Sequence, residues 1–430
     1  MDYTEARAYI DEIGKAGRVF GLETMTSLLE LLGNPQDHLK LIHIAGTNGK
    51  GSVLAYLSAI LKEAGYQVGR YVSPTLFSYR ERIQVNEAYI GREDFARLMT
   101  RTAWAIEEMK RQGIRIPTAF EAETAVAFLY FCEQKCDVVV LETGLGGRTD
   151  ATSVVKTTIL SVLTHISMDH MGVLGSTLRE IAWNKAGILR DGIPAVSAFQ
   201  EEEAAEVLVR EAGEHHCELR FVKPDQITGI EYGVERQKFS YRGYQDLVIP
   251  LAGRHQIGNA ALALEAVDVL KSQGFPVKEE AVREGFAKTV WKGRFSVIAR
   301  EPYIIIDGAH NPDAAQVLRS SVEEYFADRK KYFMFGVFSD KDYEQIIDLT
   351  ADLAEHIVTV ETPGEPRALP AEQLAEAVRR KNPSVEAADS IQEGARICRQ
   401  LAGKDDVILV FGSLSFLAEA EQAFLDLQDA

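Results

Sequence analysis

The chain has 430 residues, of which 46% are hydrophobic and 26% charged, and its formal net charge is −17. Its length exceeds one ordinary core and predicts two or three domains of a globular protein. The acidic charge argues against general nucleic-acid binding, which requires a basic face, although a local cradle of N–H groups could still hold a small anion.

The start of the chain and its cysteines predict a cytoplasmic protein. Residues 1–15 mix acidic and apolar side chains and do not resemble a secretory signal. The sequence contains no run of about 18 apolar residues, which is the length that would predict a membrane span. The four cysteines include Cys132 and Cys136, which lack the paired histidines of a zinc site. We therefore expect reduced thiols and no membrane partner.

Apolar runs alternate with helical patterns through the first two thirds of the chain and predict parallel βαβ units. Strands are expected at residues 39–46, 136–144, 157–167 and 193–198, and helices at residues 52–65, 119–134 and 255–274. Short alternating segments between residues 219 and 251 predict an antiparallel appendage on the same domain.

The segment 290–298 is expected to lead into a second α/β domain with an open, doubly wound sheet. Its strands are predicted at residues 303–307, 332–337, 356–360 and 406–412, and its helices at residues 312–327, 343–354, 370–381, 390–402 and 414–428. The predicted division is a first domain at residues 1–293 and a second, doubly wound domain at residues 294–430.

Residues 43–53, HIAGTNGKGSV, place glycines and a lysine between a predicted strand and a predicted helix. The stretch departs from the pattern G-x-x-x-x-G-K-[ST], because Gly51 separates Lys50 from the hydroxyl of Ser52. Even so, the glycines leave backbone N–H groups unobstructed, and the helix start adds partial positive charge. We predict a nucleotide site here, with Ser52 ligating Mg²⁺ or capping the helix. The alternative is a glycine-rich turn with a surface lysine.

Glu142 ends a predicted buried strand, where a nucleotide enzyme can hold magnesium and where a carboxylate can also simply cap the next turn. The G-x-G-G of residues 144–147 is a poor dinucleotide fingerprint, because no helix is expected directly after it. We therefore expect a magnesium ligand rather than a dinucleotide site at this strand end.

A cluster and a lysine follow the next predicted strand. His165, Asp169 and His170 could bind a metal, and a structural role for these loop residues is an equal alternative. Lys185 would be unusual near a metal unless it pairs with an anion or loses its charge. Its alternative role is to face the C-terminal dipole of a helix.

The second domain carries its own candidate residues at strand ends. Asp307 could bind a ribose or an ammonium group or stabilise a turn, and His310 lies in the following loop. Residues 311–312, Asn-Pro, predict a helix start. Arg294 could reach a phosphate, and Ser413 follows another strand near a helix start.

Six motifs in order resemble the folylpolyglutamate synthases and the bifunctional dihydrofolate synthases within the Mur ligase superfamily. They are GTNGKGS at 46–52, SPTLFSYRERI at 73–83, ETGLGGRTDAT at 142–152, MDHMGVLGSTLREIAWNKAGI at 168–188, RHQIGNAALAL at 254–264 and DGAHNP at 307–312. The resemblance implies a P-loop ATPase domain, a Rossmann-like domain and a monomeric ligase of folate biosynthesis and one-carbon metabolism.

The resemblance also implies roles for individual residues. ATP would be bound by Gly46, Thr47, Asn48, Gly49, Lys50, Gly51, Ser52, Asn259, Arg294 and Asp307. Two Mg²⁺ ions would be held by Ser52, Ser73, Glu142, His170 and Lys185, with Lys185 carbamylated. His310 and Ser413 would lie near the incoming L-glutamate, and the residues implied in catalysis are Lys50, His170, Lys185 and His310.

The sequence departs from the family pattern at two positions, and neither is one of the predicted ligand residues. Thr24 gives GLETM where relatives often read GLERM, and Lys292 gives W-K-G-R where W-P-G-R is usual. Since proline would stiffen the connection, Lys292 is expected to affect linker rigidity rather than chemistry.

Two alternative functions are weighed against a folate ligase. The first is a Mur-type ligase acting on a UDP-linked peptidoglycan precursor. Its loop usually places the hydroxyl directly after the lysine, and it commonly carries an extra N-terminal domain, whereas a short segment precedes this loop. The second is a non-catalytic nucleotide-binding module, which would bind ATP without glutamate-dependent phosphate release. The choice between dihydropteroate and a folate as acceptor is expected to depend on loops such as 73–90.

Overall fold

The computed structural model describes residues 1–15, 21–169, 171–363 and 367–427, in two compact units. The first unit contains Met1–Ile227 and Gly258–Thr289. The second contains Thr228–Ile257 and the chain from Val290 onward. Among the described residues, no helix is long and apolar enough to span a membrane.

The first unit is built on an eight-stranded sheet in the order β4-β3-β2-β5-β1-β6-β7-β8. Its strands are β1 (Leu41–Ala45), β2 (Val68–Tyr71), β3 (Ile83–Val85), β4 (Ala88–Tyr89), β5 (Val138–Glu142), β6 (Thr158–Leu163), β7 (Ala195–Ser197) and β8 (Leu219–Phe221). All neighbours from β2 to β8 pair in parallel, and the β2–β3–β4 edge is antiparallel. Strands β1 and β5 are buried along their whole length, as apolar runs in a parallel sheet require.

Ten α-helices are described between residues 1 and 289, of which α9 begins in the second unit and continues into the first. They are α1 (Tyr3–Gly14), α2 (Glu23–Leu32), α3 (Lys50–Glu63), α4 (Arg92–Arg111), α5 (Ala119–Glu133), α6 (Met171–Leu174), α7 (Leu178–Ala186), α8 (Glu202–Glu214), α9 (Arg254–Ser272) and α10 (Glu279–Lys288). Thr118 and Thr177 start α5 and α7 with capping boxes, in which the third helical residue is a glutamate.

The second unit contains a three-stranded sheet and a six-stranded sheet. The first has the order β11-β10-β9, and the second has the order β12-β13-β17-β14-β15-β16 with only the β12–β13 pair antiparallel. The strands are β9 (Ile227–Glu231), β10 (Gln237–Tyr241), β11 (Tyr244–Ile249), β12 (Ser296–Arg300), β13 (Tyr303–Ile306), β14 (Lys331–Phe335), β15 (His356–Thr359), β16 (Val385–Ala387) and β17 (Val407–Phe411). The helices are α11 (Pro312–Phe326), α12 (Tyr343–Thr350), α13 (Ala371–Arg379), α14 (Ile391–Leu401) and α15 (Leu417–Asp426).

The predicted α/β class and its small antiparallel sheet are confirmed, and one detail of the prediction is wrong. The segment Leu219–Phe221 was expected to be antiparallel, but it pairs in parallel with β7 and extends the main sheet. The small antiparallel sheet lies in the second compact unit, where the Tyr325 hydroxyl donates to Gln237 at 3.1 Å. The division at residues 293 and 294 stays a prediction.

The four cysteines are free thiols, as the sequence predicted. Cys136 and Cys398 are buried, and burial raises the pKa of both thiols. A thiol with a raised pKa is a poor nucleophile, so these side chains act as small apolar groups in the core.

Candidate functional site

The glycine loop connects β1 to α3 and turns at two glycines. Gly49 has φ +90° and directly precedes α3, which begins at Lys50 rather than at the predicted Ser52. Gly46 has φ +151°, and a Cβ there would lie 1.8 Å from the Thr164 hydroxyl oxygen. Only glycine tolerates both conditions. Because α3 starts early, Ser52 is the third helical residue, and it is buried in the first turn.

The segment after β6 holds this loop from its other side. The carbonyl of His165 accepts the N–H groups of Thr47 at 2.8 Å and of Asn48 at 3.2 Å. The Thr47 hydroxyl donates to the Ser167 carbonyl at 3.0 Å and accepts the Ser167 N–H at 3.0 Å. The backbone after β6 therefore positions the loop, which is a role that its histidine-rich sequence did not reveal.

The predicted metal cluster in this segment is not decided by the structure. His170 lies outside the described residues. Among the residues that the structure does describe, no three or more His, Cys, Asp or Glu side chains form a group that could hold a metal. Asp169 has an electrostatic interaction with Lys185 that favours the charged amine.

Lys50 extends back over its own loop. Its Nζ donates to the carbonyls of Gly46 and Thr47, both at 3.2 Å, and lies 4.0 Å from Glu142 Oε1. Its side chain is 18% exposed and that of Glu142 is 6% exposed, so the pair is only slightly screened by water. A full positive charge thus stands beside the N–H groups of the loop and of the helix start.

Glu142 and Ser73 meet at the carboxyl edge of the sheet. Strand β5 lies between β1 and β2, which places its last residue between the loops that follow those two strands. The N–H of Ser73 donates to Glu142 Oε2 at 3.4 Å. A buried carboxylate beside a serine supplies the oxygen ligands that Mg²⁺ prefers, so these residues fit the magnesium predicted here.

Lys185 is buried near the C-terminus of α7, and its Nζ donates to the Gly46 carbonyl at 2.7 Å. Burial, and then the positive charge of Lys50, lower the pKa of the Lys185 amine to about 7, while Asp169 and Asp150 oppose the shift. A large fraction of the amine is therefore neutral at neutral pH. Only the neutral amine can react with carbon dioxide, so this environment suits carbamylation.

The glycines of the GLGGRTD turn bring that turn onto the end of α7. A Cβ on Gly147 would lie 2.7 Å from the Lys185 carbonyl oxygen and 2.8 Å from that of Asn184. The N–H of Arg148 donates to the Asn184 carbonyl at 2.8 Å. The turn therefore positions the helix end that carries Lys185, and the paired glycines in the sequence were the signal for this close approach.

Behind this turn lies a buried polar chain that the sequence did not reveal. Asp150 accepts the N–H of Leu145 at 2.8 Å and the hydroxyl of Thr152 at 2.5 Å. Thr152 in turn contacts His43 Nε2 on β1 at 2.8 Å. Burial lowers the pKa of His43 well below its usual value, so its ring is neutral at neutral pH. The contact between His43 and Thr152 joins residues that are distant in sequence, which no local motif indicates.

Asn259 on α9 also lies against the glycine loop. A Cβ on Gly49 would be 2.6 Å from Asn259 Oδ1, so the amide occupies the space that this glycine leaves. The structure thus brings together, within the first unit, the predicted residues Gly46 to Ser52, Ser73, Glu142, Lys185 and Asn259.

In the second unit, the predicted residues gather around the loop after β13. Asp307 accepts the N–H groups of Phe295 at 2.7 Å and Ala309 at 2.8 Å, and burial raises the pKa of its carboxyl against the influence of Arg294. His310 Nδ1 lies 2.7 Å from the carbonyl of Gly308. Asp307 therefore stabilises its own turn, which is the alternative role that the sequence analysis gave it. Its binding of a ligand stays a prediction.

Close packing around Gly308 brings Arg294 and the neighbour of Ser413 to this loop. A Cβ on Gly308 would lie 2.1 Å from Arg294 Nη1 and 2.2 Å from a methyl group of Leu414, the residue after Ser413. Asn311 caps α11 by accepting the N–H of Ala314 at 2.8 Å, which confirms the predicted helix start.

His255 is a residue of this unit that the sequence analysis did not single out. Burial, and then the charge of Arg294, lower the pKa of its ring to about 4, against the influence of Asp313. The ring is therefore neutral at neutral pH beside the arginine that is predicted to contact ATP.

Two family models match the chain. The Mur ligase middle domain matches residues 44–267, and the glutamate ligase domain of Mur ligases matches residues 293–414. The first match begins within β1 and includes the glycine loop, Ser73, Glu142, Lys185 and Asn259. The second includes Arg294, Asp307, His310 and Ser413.

Similar proteins and structures cover almost the whole chain. The dihydrofolate synthase/folylpolyglutamate synthase of Bacillus subtilis is 35% identical over 97% of this chain and 98% of its own length. The structure of Mycobacterium tuberculosis folylpolyglutamate synthase complexed with ADP and AMPPCP has a TM-score of 0.91 at 29% identity, over 98% and 99% of the two chains. The structure of Escherichia coli FolC in complex with DHPP and ADP has a TM-score of 0.88 at 28% identity, over 100% and 99%.

Proposed function

Because this chain belongs to the folylpolyglutamate synthase and dihydrofolate synthase family of Mur ligases, we propose that it joins L-glutamate to the carboxylate of a folate or dihydropteroate at the expense of ATP. The observation that carries the proposal is the meeting of Lys50, the buried Glu142 and the glycine loop at one edge of the main sheet. Relatives of known structure with ADP, AMPPCP or DHPP support nucleotide and small-molecule substrates.

The loop residues Gly46 to Ser52 would bind the ATP phosphates. The backbone N–H groups of the loop and of the first turn of α3 would donate to phosphate oxygens. Lys50 would leave the carbonyls of Gly46 and Thr47 to meet the γ-phosphate, where it would stabilise the charge that develops during transfer. Asn259, Arg294 and Asp307 would contact other parts of ATP.

Two Mg²⁺ ions are proposed at this edge of the sheet. Their ligands would be Ser52, Ser73, Glu142 and Lys185, together with His170, which lies outside the described residues. When bound, magnesium would neutralise charge on the phosphates. Because an ammonium group cannot ligate a cation, Lys185 would have to be carbamylated, and its depressed pKa supports that modification.

The proposed reaction forms an amide in two steps. An oxygen of the acceptor carboxylate attacks the γ-phosphorus of ATP, the bond to the bridging oxygen breaks, and ADP leaves. The amine of L-glutamate then attacks the carbonyl carbon of the acyl phosphate, and phosphate leaves with the oxygen that came from the carboxylate. His310 and Ser413 are proposed to lie near the L-glutamate.

We further propose that the protein acts as a monomer in the cytoplasm. The family resemblance and the acidic, cysteine-poor composition support this proposal. Sedimentation equilibrium at micromolar concentration would give the mass of one chain, and a mass of two chains would contradict it.

Phosphate release from ATP separates the candidate functions. We expect release to require both L-glutamate and either dihydropteroate or a reduced folate. Release with a UDP-muramyl peptide instead would indicate a peptidoglycan ligase. ATP binding without acceptor-dependent release would indicate a non-catalytic module. A catalytically inactive Lys50→Ala protein, prepared in the same way, controls for contaminating phosphatases.

A further inference from the structure

The loop between β2 and β3, residues 73–82, is held at each end by a carboxylate on another element. At its start, the N–H of Ser73 donates to Glu142 on β5. At its end, Arg82 forms an ion pair with Glu123 on α5, with 3.1 Å between Nη1 and Oε2. Glu142 and Glu123 are both buried. The two anchors fix where the loop begins and ends, but they do not fix the shape of its middle.

A third carboxylate, Glu81, lies within the loop and fixes its middle. Glu81 stands in the 3-10 turn Tyr79–Arg82 and is 8% exposed. Its Oε1 accepts the N–H of Leu76 and, at 3.1 Å, the N–H of Phe77. One buried carboxylate oxygen thus accepts hydrogen bonds from two consecutive N–H groups. Hydrogen bonds to a charged carboxylate are stronger than those between neutral groups. Burial raises the pKa of Glu81, and these N–H groups oppose the shift.

The loop begins beside Glu142 and carries two large apolar side chains. Its first residue touches Glu142, whose other oxygen is 4.0 Å from Lys50 Nζ. Leu76 and Phe77 are half-buried, although they belong to a connecting loop. Arg82 lies 5.8 Å from the ring centroid of Phe120 on α5. Apolar side chains and an aromatic ring beside this site suit a planar acceptor.

We propose that Glu81 is a positioning residue for acceptor selection, because it holds residues 76–77 in the shape that the acceptor meets. The proposal rests on the function proposed above. Without Glu81, two N–H groups lose their partner, and acceptor binding must also order the loop, which weakens it. The glycine loop keeps its own contacts with His165 and Ser167, so ATP binding is unaffected.

The test compares three substitutions in the full chain by steady-state kinetics. Glu81→Ala should raise the acceptor KM about tenfold, with the KM of ATP and of L-glutamate unchanged. Glu81→Gln keeps an oxygen that can accept both N–H groups, so it should raise the acceptor KM less. Glu87→Gln is the matched control, because Glu87 also faces Arg70 but binds no loop N–H; it should stay within about twofold of the wild type.

Hydrogen exchange distinguishes loop positioning from general destabilisation. In Glu81→Ala, the amides of residues 75–82 should exchange faster, whereas those of β1 and β5 should not. An unchanged acceptor KM, or an equal rise in all three KM values, would overturn the proposal. If the wild type shows no glutamate-dependent phosphate release, the proposed function fails instead. Faster exchange confined to residues 75–82 would then still support positioning by Glu81, and unchanged exchange would refute it.

Discussion

Lys50 carries the charge on which the proposed chemistry depends. Its Nζ donates to two carbonyls of its own loop and lies beside Glu142. Lys50→Ala should lower the ligation rate on the order of 100-fold or more, because the developing phosphate charge loses a cation that stabilises it. The fold should persist, since the side chain contributes no apolar core.

Steady-state turnover and thermal unfolding measure these two effects of Lys50→Ala separately. Lys62→Ala is the matched control, because Lys62 lies at the other end of α3 and pairs with Glu87. It should keep wild-type turnover. Near-wild-type turnover of Lys50→Ala would refute its assignment to the phosphates.

Lys185 should bind carbon dioxide reversibly. Because its pKa is lowered to about 7, the neutral amine predominates above that pH and becomes scarce below it. Protein incubated at pH 5 should lose activity and recover it when bicarbonate is added near pH 8. With ¹³C-labelled bicarbonate, wild-type protein should show a carbamate NMR signal that Lys185→Met lacks. Full activity without bicarbonate and no such signal would contradict carbamylation.

The local geometry of the candidate site was predictable where a local pattern carried the information. Glycines around Lys50 indicated a tight loop between a strand and a helix, and a carboxylate at the end of an apolar run placed Glu142 at the edge of the sheet. By contrast, the contact of His43 with Thr152 depends on how β1 and a distant turn pack, and no pattern in either segment encodes it. The early start of α3 was missed because Gly49 and Gly51 look equally suitable as the residue before a helix.

At the scale of elements, the turn 144–150 and the end of α7 should act as one unit. Gly147→Ala would place a methyl group within 2.8 Å of two carbonyl oxygens and push the turn away from Lys185. We expect a loss of about 1–3 kcal/mol in the free energy of unfolding, together with reduced activity. Urea denaturation and turnover measure both.

Gly213→Ala is the control for Gly147→Ala. It lies in α8, and a Cβ there would meet no atom within 4 Å. Alanine should therefore be neutral or slightly stabilising at this position. Equal stability of the Gly147→Ala protein and the wild type would show that the turn and α7 can separate without cost.

The long apolar strands and the amphipathic helices were predictable, and several short strands were not. Strands β1, β5, β6 and β17 lie within the predicted ranges, because continuous apolar runs are buried on both faces. Strand β2 was missed because Arg70, which is 7% exposed, interrupts its apolar pattern. Strand β8 is short and half-buried, and its alternating sequence, Leu-Arg-Phe, resembles that of an antiparallel strand. The prediction of an antiparallel segment followed from this alternation.

At the scale of the whole molecule, buried histidines should make the fold sensitive to acid. Burial lowers the pKa of His43 well below 6.5. Below pH 6.5, His43 of the unfolded chain therefore binds a proton, whereas His43 of the folded chain stays neutral. Stability is therefore present above pH 6.5 and is lost as pH falls. One such group contributes a slope of up to about 1.4 kcal/mol per pH unit.

Urea denaturation of His43→Gln between pH 7.5 and 5 should show a shallower loss of stability than the wild type. His216→Gln is the control for the replacement of a histidine by glutamine, because the His216 side chain is 79% exposed. Parallel curves for His43→Gln and the wild type would show that His43 does not control the acid response.

Transfer of oxygen from the acceptor to phosphate is the most direct test of the central claim, which is that this molecule activates a carboxylate by phosphorylation. An acceptor labelled with ¹⁸O in its terminal carboxylate is incubated with ATP, L-glutamate and the protein, and the released phosphate is analysed by mass spectrometry. An acyl phosphate intermediate predicts one ¹⁸O atom in each phosphate released. Phosphate without the label would show that water attacks ATP and would contradict the proposed ligase reaction.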